Sequence, residues 1–276
     1  MNSLHRTLAI AQTELRIASR NRWVFLSTLV FVLFALALAF PGVGAAGMKA
    51  DVLTLASAAL ATLSVYLVPL IALLLAYDSF AGEIERGTLA LILASPVSRG
   101  EVLAGKFLGL FGVLAFAVVT GLAIAGLAAG GVYGFANEGI DAMIRLAGTA
   151  LLLGAVFLAL GIAVSIRARR TGTAAAAVFG LWLAAVVLYD LALLAGVVAD
   201  ADGFFARTVF PWLVMANPGD AFRIYNLAAM GSADVSGIDS LARTLPFDPA
   251  LALGVLGLWL AALLAAGRHF LRRLTP

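Results

Sequence analysis

The sequence predicts an all-α polytopic membrane protein with six transmembrane helices in a single transmembrane domain, residues 1–276. Of its 276 residues, 63% are hydrophobic and only 12% are charged, whereas soluble domains have about 45–50% apolar and 25% charged residues. The apolar residues also form long uninterrupted runs, which are typical of membrane spans. Such a composition excludes a disordered chain. The absence of cysteine excludes disulfides and cysteine nucleophiles.

Six stretches approach or exceed the roughly 20 apolar residues that a transmembrane helix needs. They are residues 23–40, 53–77, 107–133, 146–166, 174–199 and 249–266. The first run is followed by small residues, as a signal peptide is, but it is longer than the roughly 7–15 residues of a signal core. We therefore interpret it as a permanent span. Pro69 removes a helix hydrogen bond from the second span, and we expect a kink there.

Basic residues are distributed unevenly between the two sides of this topology. With the spans alternating, thirteen of the 18 lysine and arginine residues lie on the side of the N-terminus. The positive-inside rule then predicts that both termini lie in the cytoplasm. The net charge of +3 therefore reflects orientation in the lipid bilayer and does not indicate a nucleic-acid partner.

Residues 3–22, ahead of the first span, predict an amphipathic helix. Apolar side chains recur at helical spacing along it, at Leu4, Leu8, Ala11, Leu15 and Ala18. The arginines lie off this stripe. We expect this helix to lie flat in the cytoplasmic interface, with its arginines near anionic head groups.

The cytoplasmic connection, residues 78–106, is the longest and most polar segment on its side. We expect a short helix over 83–93 that ends before Pro96, and a second helix capped by Ser98 that enters the third span. The Gly-x4-Gly-Lys sequence that ends at Lys106 lacks the hydroxyl residue of a phosphate-binding loop. It also leads into a membrane span instead of following a strand, so we attribute the match to chance.

The outer connection, residues 200–246, contains two aromatic-rich pieces that are too short to span the membrane. These predict re-entrant or interfacial helices. Between them, residues 217–220 have the sequence Asn-Pro-Gly-Asp, which predicts a turn.

Glycine is dense in the third span. The pairs Gly105–Gly109 and Gly126–Gly130 have the small-xxx-small spacing that lets two helices approach closely. Dimerisation and packing within the chain both explain this spacing.

Asp190, preceded by Tyr189, is the one ionisable residue placed deep in a predicted span. Such a residue faces the bundle interior or water. Either it contacts a cation or proton on a translocation path, or it forms a structural pair with Arg207 or Arg223. The first possibility supports an alternative function, an ion-coupled secondary transporter. A second aspartate in Gly-x-Gly-Asp, which an intramembrane aspartyl protease would need, is missing from the sequence.

The sequence EIERGTLALILASPVSRGEVLAGK, residues 83–106, resembles the cytoplasmic segment of ABC-2 type transporter permeases. The six spans, the amphipathic N-terminal helix and the re-entrant outer segment are similar to the same family, whose architecture is that of the type V exporters. More narrowly, FPWLVMANPGDAFR at 210–223 resembles permeases of the transporters that mature nitrous-oxide reductase.

The resemblance implies a multi-pass transport subunit of the bacterial inner membrane that is not an enzyme and holds no cofactor or metal of its own. ATP and Mg²⁺ would bind to a separate ABC ATPase subunit, and two permeases would assemble with two ATPases. It implies a periplasmic accessory protein and a sulfur-containing species or copper as the substrate. The residues that would dock into the ATPase are Glu83, Glu85, Arg86, Gly87 and Thr88. Those that would contact the outer partner are Trp212, Met215, Asn217, Pro218, Asp220 and Arg223.

Overall fold

The computed structural model describes residues 3–19, 22–40, 52–200, 203–228 and 247–274, and every regular element within these ranges is helical. The α-helices are α1 Ser3–Ser19, α2 Arg22–Ala39, α3 Val52–Ala76, α4 Asp78–Glu85, α5 Thr88–Ala94, α6 Arg99–Tyr133, α7 Asn137–Ala168, α8 Thr171–Trp182, α9 Tyr189–Ala199, α10 Phe210–Ala216, α11 Pro218–Ala228 and α12 Leu251–Arg273. A π-helical segment, Leu183–Leu188, joins α8 to α9, and a second, Phe205–Val209, precedes α10.

Five helical stretches in the described ranges are long and apolar enough to cross a membrane: Val52–Glu85, Arg99–Tyr133, Asn137–Ala168, Thr171–Ala199 and Leu251–Arg273. They contain the second to fifth predicted spans and all but the first two residues of the sixth. The first predicted span lies on α2, whose apolar part, Phe25–Ala39, is shorter. The sixth crossing therefore stays a prediction. Helix α3 continues through Pro69.

Helix α7 forms the centre of the bundle. It packs against α3, α6, α11 and α12, and 78% of its most apolar stretch is buried. In the most apolar stretch of the continuous helix Thr171–Ala199 only 11% of the residues are buried, and in that of α12 only 17% are buried. These peripheral helices therefore expose apolar faces, which lipid or another protein must cover.

The connection 78–106 contains two short helices, α4 and α5, where the sequence predicts one helix over 83–93. That prediction is wrong because Gly87 adopts a left-handed backbone conformation (φ 72°), which ends the helix at this point. The prediction for Ser98 is confirmed. Its hydroxyl accepts a hydrogen bond from the Glu101 N–H, and the Glu101 carboxylate accepts one from the Ser98 N–H, forming a capping box at the start of α6.

Helix α1 packs along the glycine-rich face of α6. A Cβ added at Gly109 would lie 2.5 Å from the carbonyl oxygen of Ala11, and one added at Gly105 would lie 2.7 Å from Ile10 Cβ. Gly105 and Gly109 therefore allow close packing of α1 on α6 within the chain. The predicted apolar stripe divides: Ala11 is buried against α6, whereas three leucines are exposed (Leu4, Leu8 and Leu15).

The described part of the outer connection folds into α10 and α11, both shorter than a membrane span. Asn217 has an extended backbone between the two helices, and its side-chain oxygen accepts a hydrogen bond from the Gly219 N–H at 2.8 Å. The other three residues of the predicted turn begin α11, so the turn prediction holds only at Asn217. Helix α11 packs against α3, α7 and α12. Residues 201–202 and 229–246 of the predicted re-entrant segment lie outside the described residues.

Candidate functional site

Helices α3 and α4 meet at Tyr77, and we call this junction the elbow. A buried serine of α7 forms hydrogen bonds with the backbone there. Ser165 of α7 accepts hydrogen bonds from the N–H groups of Phe80 and Ala81, at 3.0 and 2.9 Å, and donates one to the carbonyl oxygen of Tyr77 at 2.6 Å. N–H groups in the first turn of a helix have no partner within that helix. The hydroxyl therefore caps α4 from a different helix and fixes the elbow to α7.

A buried lysine joins three further elements. Lys106 of α6 is 2% exposed, and its ammonium donates to Glu83 of α4 at 2.7 Å and to Glu14 of α1. The same ammonium lies 5.3 Å from the centre of the Phe80 ring. Two carboxylates and an aromatic face thus surround one cation, which is the arrangement that a buried charge requires.

The residues predicted to dock into an ATPase do not all face outwards. Glu83 points inwards to Lys106. The Glu85 carboxylate accepts hydrogen bonds from the Thr171 N–H, at 3.0 Å, and from the Thr171 hydroxyl, which ties α4 to the start of α8. The exposed residues of this segment include a set that we call the coupling surface: Glu85, Arg86, Gly87, Thr88 and Leu91.

Three charged side chains meet between α9 and α11. The Arg223 guanidinium donates to Asp190 at 3.2 Å and also to Asp220. Of the two explanations for Asp190, the structure shows a pair, and the partner is Arg223. Burial raises the pKa of Asp220 to about 7, against the lowering effect of the Arg223 charge. Because two carboxylates share one guanidinium, this triad is net negative when both are ionised.

The π-helical segment Leu183–Leu188 contributes to the same region. In a π-helix some carbonyl groups leave the α-helical hydrogen-bond pattern. One of them, the carbonyl of Ala185, accepts a hydrogen bond from the Asn217 side-chain amide at 2.7 Å. The Tyr189 hydroxyl donates to the carbonyl of Leu213, also at 2.7 Å. Tyr189 and Asn217 therefore hold the outer helices against the long helix that contains Asp190.

Of the six residues predicted to contact an outer partner, five are buried: Met215, Asn217, Pro218, Asp220 and Arg223. In this structure these five residues, which lie in and between α10 and α11, make contacts within the chain, and their contact with a partner stays a prediction. Trp212 is 60% exposed and packs on Phe247, with ring centres 5.1 Å apart. Within the described ranges no group of three His, Asp or Glu side chains is placed to hold a metal ion.

Residues 8–273 match the profile of the family described as ABC-2 family transporter protein. The chain belongs to the ABC-2 transporter family. It is 41% identical over 267 residues to a protein of Pseudomonas aeruginosa named "Probable ABC transporter permease protein NosY", covering 96% of this chain and 97% of that one. It is 39% identical over 275 residues to a protein of the same name from Stutzerimonas stutzeri, covering 96% of this chain and 98% of the relative.

The ABC-2 chain is thus a permease subunit of an ABC transporter and a multi-pass membrane protein. A permease is the transport component and is not itself catalytic, and membership of this family implies an ABC ATPase partner. The resemblance seen in the sequence is confirmed.

Sequence reasoning missed the two residues that join the coupling segment of this ABC-2 permease to its membrane helices. Ser165 is a small hydroxyl residue in an apolar span, and such residues usually bond to their own helix. In the sequence, Lys106 is the last residue of the Gly-x4-Gly-Lys match and of the segment 83–106, and neither pattern assigns it a contact. Lys106 is next to Gly105, on the glycine-rich face of α6. A helix that packs on this face, as α1 does, brings its polar side chain Glu14 to the lysine, so the glycine spacing could have indicated a partner for Lys106.

Proposed function

We propose that this permease converts ATP hydrolysis in a separate ATPase subunit into movement of its membrane helices through the coupling surface. The observation that carries the proposal is the double attachment of α4, to α7 through Ser165 and to α6 through Lys106. Helix α4 also continues directly from α3. A displacement applied to the coupling surface is therefore transmitted to three membrane-length helices as a rigid unit.

The proposed assembly contains two copies of the permease and two ATPase subunits, which bind ATP and Mg²⁺. Burial of only 11% and 17% in the stretches Thr171–Ala199 and Leu251–Arg273 supports it, because these helices have apolar area available for a second copy as well as for lipid. The distribution of arginine and lysine supports an inner-membrane location with both termini in the cytoplasm.

The proposed task is delivery of a sulfur-containing species or copper during maturation of nitrous-oxide reductase, by transport or by mechanical signalling. Support comes from the two relatives named NosY and from the sequence of residues 210–223. An accessory protein on the outer side would contact the exposed Trp212. The alternative, ion-coupled transport through Asp190, gains no support, because that carboxylate is paired with Arg223.

The docking step is tested with the full-length permease and its co-encoded ATPase, both purified. Arg86→Glu is expected to weaken their association at least tenfold and to remove stimulation of ATP hydrolysis, since Arg86 is exposed on the coupling surface. Glu138→Arg is the matched control, because this exposed charge lies just past the far end of α6, a 35-residue helix about 52 Å long. Equal effects of the two reversals would contradict docking at the coupling surface.

The task is tested by deleting the gene in its native host and measuring the copper and sulfide content of purified nitrous-oxide reductase. We expect an enzyme deficient in its metal centre, restored by the wild-type gene and not by the Arg86→Glu variant. A fully loaded reductase in the deletion strain would contradict the proposed substrate class while leaving the docking result intact.

A further inference from the structure

A cavity of about 890 Å³ lies at one end of the bundle, between α1, the beginning of α6 and the end of α12. Its volume is within the range of small-molecule binding sites, about 300–1,000 Å³. The three helices contribute different chemistry to it. Helix α1 supplies the hydroxyls of Ser3 and Thr7, α12 supplies basic side chains, and α6 supplies both polar and apolar residues.

The polar end of the cavity is positively charged. Arg268 and Arg272 are one turn apart on α12, about 6 Å along the helix, and both are exposed. Neither forms a salt bridge with any residue that the structure describes. The acidic residue in the lining, Glu101, is already engaged by Arg6 at 2.9 Å and by the Ser98 N–H at 2.6 Å. The two arginines are thus available to an anion.

The other end of the cavity is apolar. Leu264 and Ala265 precede the arginines on α12, and Phe107 and Leu108 lie two turns into α6 on the opposite side. Both helices are long enough to cross the membrane. Polarity therefore falls along the cavity from the helix ends towards the membrane-spanning parts, as it does along a phospholipid.

We propose that this cavity binds an anionic phospholipid, with the phosphate on Arg268 and Arg272 and an acyl chain against Phe107, Leu108 and Leu264. Basic pockets between transmembrane helices are suited to anionic head groups. A soluble protein docked here would pair with the arginines but would leave the apolar wall uncovered, whereas a lipid covers both. This site is independent of the proposed coupling function.

Lipid in this cavity would bridge three elements. Its head group would contact α1 through Ser3 and Thr7 while its chain lies between α6 and α12. The end of α12 is already held to α6 by Arg99, whose guanidinium donates to the carbonyl of Leu274 at 2.7 Å. Bound lipid therefore favours the arrangement in which these helices are packed together, and the thermal stability of the permease rises with the logarithm of lipid concentration once that concentration exceeds the dissociation constant.

The test uses the delipidated full-length permease in neutral detergent, titrated in native mass spectrometry. The four probes are phosphatidylglycerol, phosphatidylcholine, glycerophosphoglycerol without acyl chains, and inorganic phosphate. We expect phosphatidylglycerol to bind at least tenfold more tightly than each of the others.

Arg268→Gln and Arg272→Gln should each weaken phosphatidylglycerol binding about fivefold, and Ala265→Trp should weaken it by filling the apolar end of the cavity. Arg86→Gln, an exposed arginine outside the cavity, is the matched control and should leave affinity unchanged.

Equal affinity for phosphatidylglycerol and phosphatidylcholine would overturn the proposal, as would equal loss in Arg86→Gln and Arg272→Gln. Tight binding of glycerophosphoglycerol or phosphate would overturn it in favour of a soluble phosphate compound. If Arg268→Gln and Arg272→Gln instead abolish binding of the purified ATPase and leave lipid affinity intact, the cavity is a protein contact and the proposal fails. Arg272→Lys, which keeps the charge, should retain most of the affinity and excludes misfolding as the cause of a loss.

Discussion

Ser165 of α7 accepts a hydrogen bond from the backbone N–H of Phe80 in α4, 85 residues away in the sequence. Both residues are completely buried. The contact places the end of a membrane-length helix against the start of the segment that carries the coupling surface. The Ser165 hydroxyl contacts the backbone of α4, so it constrains the path of the chain at the elbow without engaging the side chains of the coupling surface.

Ser165→Ala should loosen this elbow. The substitution leaves the N–H groups of Phe80 and Ala81 buried without the hydroxyl, at about 1–3 kcal/mol for each unsatisfied group. We expect a lower thermal unfolding midpoint and weaker coupling of transport to ATP hydrolysis, with docking of the ATPase retained.

Ser64→Ala is the matched control for the elbow. Ser64 is equally buried, but its hydroxyl donates to the carbonyl of Leu60 in its own helix. The loss there should be smaller than in Ser165→Ala when both variants are followed by tryptophan fluorescence on heating. Equal losses would show that the hydroxyl of Ser165 does not act through α4.

Lys106→Met should be strongly destabilising because it leaves Glu14 and Glu83 facing each other in a buried site. Removing one partner of a buried ion pair typically costs about 3–5 kcal/mol. Adding Glu83→Gln should recover part of the loss, since it removes one uncompensated carboxylate. Arg273→Met, which removes an exposed cation, should change stability by no more than about 0.5 kcal/mol. Failure of the double variant to recover stability would indicate that packing, and not charge, is what Lys106 contributes.

Local and periodic features of this fold were readable from the sequence. Long apolar runs predict the five membrane-length helices of the described residues, because a helix that crosses lipid must be apolar and continuous. The helix cap at Ser98 and the change of chain direction at Asn217 could be predicted, because the hydrogen bonds that form the cap and this change of direction involve residues no more than three positions away. The inward orientation of Glu83 was not readable. It depends on Lys106, 23 residues away, and on the packing of a separate helix that brings Glu14 to the same ammonium.

Gly109→Ala should displace α1 from α6. The added methyl group would lie 2.5 Å from the carbonyl oxygen of Ala11 and 2.6 Å from Glu14 Cβ, so backbone must move. Overpacking of this kind costs typically about 1–3 kcal/mol, and the shift also separates Glu14 from Lys106. Faster proteolysis within α1 and a lower unfolding midpoint would report it.

Gly131→Ala provides the comparison for that variant on the same helix. Nothing lies within 4 Å of a Cβ added there, and replacing glycine by alanine in a helix is favourable by about 1 kcal/mol. Its stability should be unchanged or higher. A loss in Gly131→Ala as large as in Gly109→Ala would contradict a specific contact between α1 and α6.

The triad of Asp190, Asp220 and Arg223 should make stability depend on pH. The pKa of Asp220 is raised to about 7 by burial, whereas that of an unfolded aspartate is about 3.9. Between these values the folded protein holds a proton that the unfolded chain has released, so this residue favours folding at low pH and its contribution is lost as pH rises towards 7. The linkage amounts to at most about 4 kcal/mol.

Asp220→Asn mimics the protonated carboxyl and should make the thermal unfolding midpoint nearly independent of pH over pH 5–8. Asp141→Asn, at an exposed acid, should keep the pH dependence of the wild type. An unchanged slope of the midpoint against pH in Asp220→Asn would refute the assignment of this pH dependence to Asp220.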